Sequence, residues 1–167
     1  MKQLNLYREP TEDEKRLYYR FYQLIFDSHF ALAKKRSVMT AALGYEAWSW
    51  RVVAITENAI KAIAKNNFKK PSNMLARDHH HSRAETYNKI FAEIMPYEVW
   101  WQWVWENDET ILVTNEEHRS QQISKRYPVD PKDNYFINGG TAGWNHTKGR
   151  EGAYVKGLCD KFGIAAD

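Results

Sequence analysis

Thr110-Ile111-Leu112-Val113-Thr114-Asn115-Glu116-Glu117-His118 is the stretch from which the fold is read. Its first four residues are β-branched or aliphatic and suit a pleated, half-buried surface, so they predict a strand. Thr114 is placed to cap a helix, and Glu117, three residues on, to bond back to the cap, as in a capping box. The segment therefore predicts a strand feeding directly into a helix that runs to about Ser124, with His118 in its first turn.

The same signals recur outward from this junction. Ser82 and Glu85 form a second capping box, opening a helix with Tyr87, Ile90, Phe91 and Ile94 on one face, and Pro96 stops it. Glu98 to Trp105 reads as another helix, with Trp100, Trp103 and Val104 on one side. Its tryptophans are read as core in preference to base-stacking groups. Asn107-Asp108 reads as a turn. Upstream, Pro71-Ser72-Asn73 breaks the chain, and Met74 to His81 predicts a brief strand. Thr56 caps a helix to about Asn66, with Ile55 and Ile60 as a hydrophobic staple. Thr11 and Glu14 open the first helix, which carries Leu17, Phe21, Leu24, Ile25 and Leu32 and is expected to end near Lys34-Lys35-Arg36, where cations suit the helix dipole. Around Gly44, residues 38–55 do not separate helix from strand by period and are read with a lean to helix. Past Tyr127 the chain becomes loop-rich, closing with a helix from about Arg150 to Phe162.

These elements predict an α+β, mostly helical fold, 167 residues long and without internal repeats. They form one domain, 1–167, in three parts: a basic helical part (1–77), a core (78–126) interrupted by a helical insertion, and a glycine-rich basic tail (127–167). With 43% hydrophobic and 27% charged residues the chain is not a disordered one. No apolar run approaches the roughly 20 residues of a membrane span, and the start lacks a leader pattern. The expectation is a soluble, intracellular, cytoplasmic protein with no membrane partner. A single cysteine, Cys159, excludes an internal disulfide and a zinc knuckle built on cysteine pairs, and reads as a packed small side chain.

Charge is segregated along the chain: net +2 over residues 1–50, +5 over 51–77, −7 over 78–118 and +3 over 119–167. An acidic centre between basic flanks suits a site that holds a divalent cation and grips a polyanion, although solvated helix faces give the same pattern. Lys61, Lys65, Lys69, Lys70 and Arg77 precede the centre. Lys148 and Arg150 follow it, in a stretch from Asn138 that mixes glycine, tryptophan and basic residues. These seven are the candidate DNA-backbone contacts. The stretch is neither a Walker motif nor a dinucleotide fingerprint.

Histidines supply the chemistry. His79, His80 and His81 follow Asp78 directly, and His118 lies downstream. Aspartate and histidine together offer a hard oxygen ligand, an imidazole ligand and a general base. On an extended strand Asp78 and His79 diverge, so one can hold a metal while the other activates water.

Asp78-His79, then Asn107, then His118 after Ile111–Glu117 resembles the HNH (ββα-metal, or His-Me finger) endonucleases, most closely the zinc-less phage and homing type. The resemblance covers positions 78–118. It implies a small ββα-metal motif embedded among the helices, Asp78 and His118 as ligands of one divalent metal ion (Mg²⁺ or Mn²⁺), His79 as the base that deprotonates water, and Asn107 as the residue that orients the histidine through its backbone. The stretch between His79 and Asn107 is longer than in many members and leaves the register open. His80 or His81 takes the base's place if the strand begins later, and Asn115 can replace Asn107 or His118. Gln122 is a further neighbour of the site. By this resemblance the protein is a divalent-metal-dependent endonuclease that nicks or cuts duplex DNA in a phage or other mobile element. It acts as a monomer or as a homodimer, the latter suiting a symmetric double-strand cut. The alternatives are a non-catalytic nucleic-acid-binding protein and a histidine-rich metal hydrolase of small molecules.

Overall fold

A computed structural model of the chain describes residues 6–70, 73–79, 81–137, 143–144 and 149–165. The protein is α+β and mostly helical. In chain order the elements are α1 (Glu12–Asp27), α2 (Leu32–Leu43), β1 (Val52–Thr56), α3 (Glu57–Lys65), β2 (Leu75–His79), α4 (Arg83–Ala92), α5 (Tyr97–Asn107), β3 (Thr110–Thr114), α6 (Asn115–Ser120), β4 (Arg126–Pro128) and α7 (Arg150–Phe162). Among the described residues no helix is long and apolar enough to cross a membrane.

The chain divides into two compact units, each discontinuous in sequence, where the sequence reading has one domain of three consecutive parts. A sheet unit comprises residues 1–7, 51–78 and 110–167, and a helical unit comprises residues 8–50 and 79–109. The division falls inside β2, between Asp78 and His79.

The sheet unit is built on four strands in the order β2-β3-β1-β4. β1 runs parallel to β3, with Ile55 opposite Leu112, and antiparallel to β4, with Ile55 opposite Tyr127. Parallel neighbours need a crossover between them. Here the chain between β1 and β3 includes α3, β2 and the whole of residues 79–109. The core lies on the side of α3 and α7, where Ile55, Ile60, Ile63, Leu112, Phe136 and Val155 are fully buried. Ile55 and Ile60, the expected staple, both belong to this cluster. Gly152 on α7 stands so near the Phe68 carbonyl that a Cβ there would lie 2.1 Å from its oxygen, which is why a glycine occupies this turn of the helix.

The helical unit packs α1 with α2 and α5, and α4 with α2 and α5, around aromatic rings. Tyr22 is fully buried, its ring stacks on Trp100 (5.3 Å, 21°), and its hydroxyl donates to the Ile90 carbonyl at 2.8 Å. Trp48, also fully buried, meets Trp101 edge-on at 5.4 Å. The tryptophan segment is thus largely interior, with Trp100 and Val104 buried and Trp103 half-buried.

Several local expectations are corrected. The first helix stops at Asp27, short of Lys34–Arg36, because Ser28 turns extended and sends both its N–H and its hydroxyl to the Ile25 carbonyl. The expected cation still reaches that end, supplied from α2, as Lys35 donates to the Phe26 carbonyl at 2.5 Å. Leu17 and Leu24 are 62% and 70% exposed, so the buried stripe of α1 is Tyr22 and Ile25. Residues 52–56 are strand rather than helix, since β1 pairs on both sides. β4 has no counterpart in the sequence reading, because three residues carry no period. α6 stops at Ser120 instead of Ser124: Gln121 adopts a left-handed conformation (φ 58°), and its N–H returns to the Glu117 carbonyl.

Candidate functional site

In the sheet unit, two helices begin directly at strand ends. Thr56, the last residue of β1, caps α3 by accepting from the Ala59 N–H at 3.2 Å. Thr114, the last residue of β3, caps α6 in the expected capping box with Glu117. Glu117 does more than close that box. Only 2% exposed, its Oε2 accepts from the Thr114 N–H (2.9 Å) and from the Thr56 hydroxyl (2.8 Å). Its Oε1 accepts from Asn58 Nδ2 (3.2 Å), the Ser124 N–H (3.0 Å) and the Ser124 hydroxyl (2.5 Å). Burial alone pushes its pKa up, but the bonds from Ser124, Thr114 and Thr56 outweigh that, and the carboxyl is held below the usual range. One carboxylate therefore joins the starts of both helices and draws the segment after α6 back against them.

This hub orients α6, and with it His118 on a different side of the helix from the buried Glu117. His118 Nδ1 lies 3.0 Å from Asp78 Oδ1, near the end of β2. The two residues are 40 apart in sequence, and β2 and β3 are neighbours in the sheet, which is what brings them together. The Asp78 side chain is 17% exposed and that of His118 is 48% exposed, so the carboxylate is sheltered and the imidazole faces solvent. Nδ1 and Oδ1 thus stand close enough to be adjacent donors to one ion, with Asp78 Oδ2 as the second carboxylate oxygen.

As a metal site this donor set is sparse. Among the described residues, no three His, Cys, Asp or Glu side chains stand close enough to hold an ion. A structural zinc site, which needs four protein ligands, is not assembled here among the described residues. A hard divalent cation that keeps several waters and takes its remaining oxygens from a phosphate does fit one carboxylate and one imidazole.

His79 and Asn107 belong to the helical unit. His79 is half-buried, its ring edge-to-face with Trp50 at 5.5 Å. Trp50 is held in a left-handed conformation (φ 55°), unusual for a bulky residue, with its N–H donating to Asp108 Oδ2 at 2.6 Å and the Arg83 guanidinium lying 4.0 Å over its ring. Asn107, the last residue of α5, is 5% exposed, and its amide donates to the Trp103 carbonyl one turn back at 2.8 Å. His81 is exposed and lies against Trp103 at 6.2 Å. His80 and Lys148 lie outside the described residues. Asn115, offered as an alternative ligand, donates its amide to the Asn73 carbonyl. Gln122 lies past the end of α6, lining a groove toward α3.

The basic candidates separate by burial. Lys65, Lys69, Lys70 and Arg150 are exposed. Lys61 is paired with Glu57 at 2.9 Å, and Arg150 donates to the Asp133 carbonyl at 3.2 Å. Arg77 corrects the sequence reading: 8% exposed, its Nη2 donates to the carbonyls of Phe136 (2.5 Å) and Ile137 (2.9 Å), so it braces the sheet unit and does not face a backbone phosphate. Gly143 sits against that guanidinium with φ 62°, where any Cβ would lie 2.0 Å from Nη2.

The sequence reading missed the reach of Glu117, whose capping box was legible but whose four further donors come from residues that are distant or beyond the helix end. It also passed over Asn58, the one signal for which was its place on the same α3 face as Lys61 and Lys65. No protein-family model, curated protein or solved structure matches this chain.

Proposed function

We propose that the protein is a divalent-metal-dependent endonuclease that hydrolyses phosphodiester bonds of duplex DNA, built on an embedded ββα-metal motif made of β2, β3 and α6. The observation that carries this reading is the approach of His118 to Asp78, two sequence-distant ligand types meeting at the end of one strand and on the first turn of the helix that follows its sheet neighbour. Asp78 and His118 would hold the ion. When bound, it would stabilise the charge that grows on the phosphate and leaving oxygen. The Glu117 hub fixes the helix that carries His118, so that Nδ1 and Asp78 Oδ1, 3.0 Å apart, would turn to one ion in place of their mutual bond, and His79 would take the proton of the attacking water, a task an imidazole performs near neutral pH.

Nicking of supercoiled plasmid tests this. Activity is expected with Mg²⁺ or Mn²⁺ and is lost in EDTA. His118→Ala, Asp78→Ala and His79→Ala are each expected to lower the rate by at least about 100-fold, the usual contribution of a positioned acid–base group. Full activity in EDTA, or in His118→Ala with its fold intact, removes the assignment. Plasmid left intact by wild-type protein that still shifts it on a gel favours a binding protein without catalysis.

A further inference from the structure

In the helical unit α1 buries Tyr22 and Ile25, but its other side is not simply polar. Leu17 and Leu24, two turns apart, are exposed, and half-buried Phe21 lies between them. These positions, i, i+4 and i+7, make an apolar stripe of the kind a helix normally turns inward. Phe30 and Leu32, just past the end of α1, are exposed as well. Monomeric proteins rarely leave such residues contiguous on the surface. We infer that this stripe is the contact face of a homodimer, in which α1 of one copy lies antiparallel on α1 of a second.

The charges beside the stripe select that occupant. Arg20 and Asp27 are exposed, lie seven residues apart along one edge of it, and have no ion-pair or hydrogen-bond partner among the described residues. Two helical turns, about 10 Å, separate them, too far for them to pair with each other. A two-fold axis across α1 near Leu24 sets Arg20 of each copy opposite Asp27 of the other, so that both pairs form together, and it brings the two Leu24 side chains into contact. A parallel arrangement in register would set Arg20 on Arg20 and Asp27 on Asp27. An anionic lipid surface suits the stripe less well, since Asp13 and Asp27 flank Arg20 on the same edge and would be repelled.

The size of the face sets the strength of the dimer. α1 has 16 residues and is about 24 Å long, so one pair of such helices, extended by Phe30 and Leu32, covers less than the roughly 800 Å² per partner of a standard interface. It belongs with the weak, transient class, in which monomer and dimer exchange at micromolar concentrations. This inference goes beyond the endonuclease reading and does not depend on it. A homodimer carries two copies of whatever site the chain holds, as a symmetric cut of two strands requires.

Sedimentation velocity of the full chain, without DNA and in EDTA, from about 1 to 200 µM, tests it by mass action. Wild-type protein is expected to pass from monomer to dimer within that range. Leu24→Asp, at an exposed position, is expected to raise the dissociation constant at least about 10-fold, because the dimer would bury an unpaired carboxylate. Arg20→Asp and Asp27→Arg are each expected to weaken the dimer several-fold, and the double swap to restore it. Val99→Asp, an exposed apolar position on α5 in the same unit, is the control and is expected to leave the dimer as in wild type, with far-UV circular dichroism checking that every variant is folded. The inference is overturned if wild-type protein stays monomeric throughout, which would leave the stripe to a different partner. It is equally overturned if Leu24→Asp and Val99→Asp act alike, or if the double swap is no better than the single ones. Plasmid nicking by a strictly monomeric protein would remove the dimer and keep the nuclease, whereas a dimer that responds to these variants without nicking would do the reverse.

Discussion

The two strand-to-helix junctions of the sheet unit begin alike and end differently. At each, a parallel strand runs into a threonine that caps a helix: β1 through Thr56 into α3, β3 through Thr114 into α6. α3 has nine residues and buries Ala59, Ile60, Ile63 and Ala64, so packing holds it. α6 has six residues and buries only Glu117. A helix that short is far below the length at which helices persist unaided, about 12–15 residues, and it owes its existence to its cap. The position that holds Glu117 in α6 is Ala59 in α3, which cannot complete a capping box. Glu117 supplies the missing carboxylate to Thr56 as well. The difference teaches that the junction carrying His118 is held by polar bonds and the other by apolar burial, with one buried carboxylate common to both.

Breaking that carboxylate should have the largest effect. Glu117→Ala leaves the Thr56 hydroxyl, Asn58 amide and Ser124 donors without their acceptor, and is expected to cost about 3–4 kcal/mol, near the upper end for single substitutions. Six of the seven tryptophans belong to the helical unit, so tryptophan fluorescence mainly follows that unit. The loss should appear in urea unfolding followed by far-UV circular dichroism more than by fluorescence. Equal shifts by both probes would mean the two units unfold together.

The two caps should then differ from one another. Thr56→Ala removes both the α3 cap and a donor to Glu117, and is expected to cost about 2 kcal/mol, at the top of the range for helix caps. Thr114→Ala removes a cap whose N–H still reaches Glu117, and should cost about 1 kcal/mol. Reversal of that order in urea midpoints would show that the short helix depends on its cap hydroxyl more than on Glu117.

The smallest effect is expected at an exposed capping box. Glu14, at the start of α1, is lowered to about 2, first by its bonds to the Arg8 guanidinium and then by the Thr11 backbone. Because its folded pKa lies below its ordinary value of 4.5, its contribution is complete above that value and is lost as the pH falls from about 4.5 toward about 2. Glu14→Gln should flatten the stability profile in that window and leave a slight loss at every pH above it, slight because the group lies at the surface; an undiminished slope between about 4.5 and 2 in the variant would contradict the assignment.

Where residues signal over one turn, the fold was legible. The capping boxes at Thr11, Ser82 and Thr114 all formed, as did the cap at Thr56 and the strand at Thr110, because each depends on a side chain and a backbone group three positions away. Helix ends were less legible. Ser28 and Gln121 end α1 and α6 through backbone conformations that no periodicity encodes, and Leu17 and Leu24 stay exposed because nothing in the helical unit covers them. Of the expected site, Asp78 and His118 meet, whereas Arg77 turned inward: a cation near a site in sequence takes whichever acceptors the fold presents, here two carbonyls from residues 136 and 137.

By itself the sequence determined the α+β class, the helix starts and the residue types able to bind a hard cation or a phosphate, since propensity, capping and ligand chemistry are local properties. Only the tertiary structure decided that β1 lies beside β3 across more than fifty residues, that Asp78 reaches His118, and that Glu117 serves two helices at once. Those contacts are set by strand order and burial, which depend on the whole chain closing on itself and leave no mark in any short window of residues.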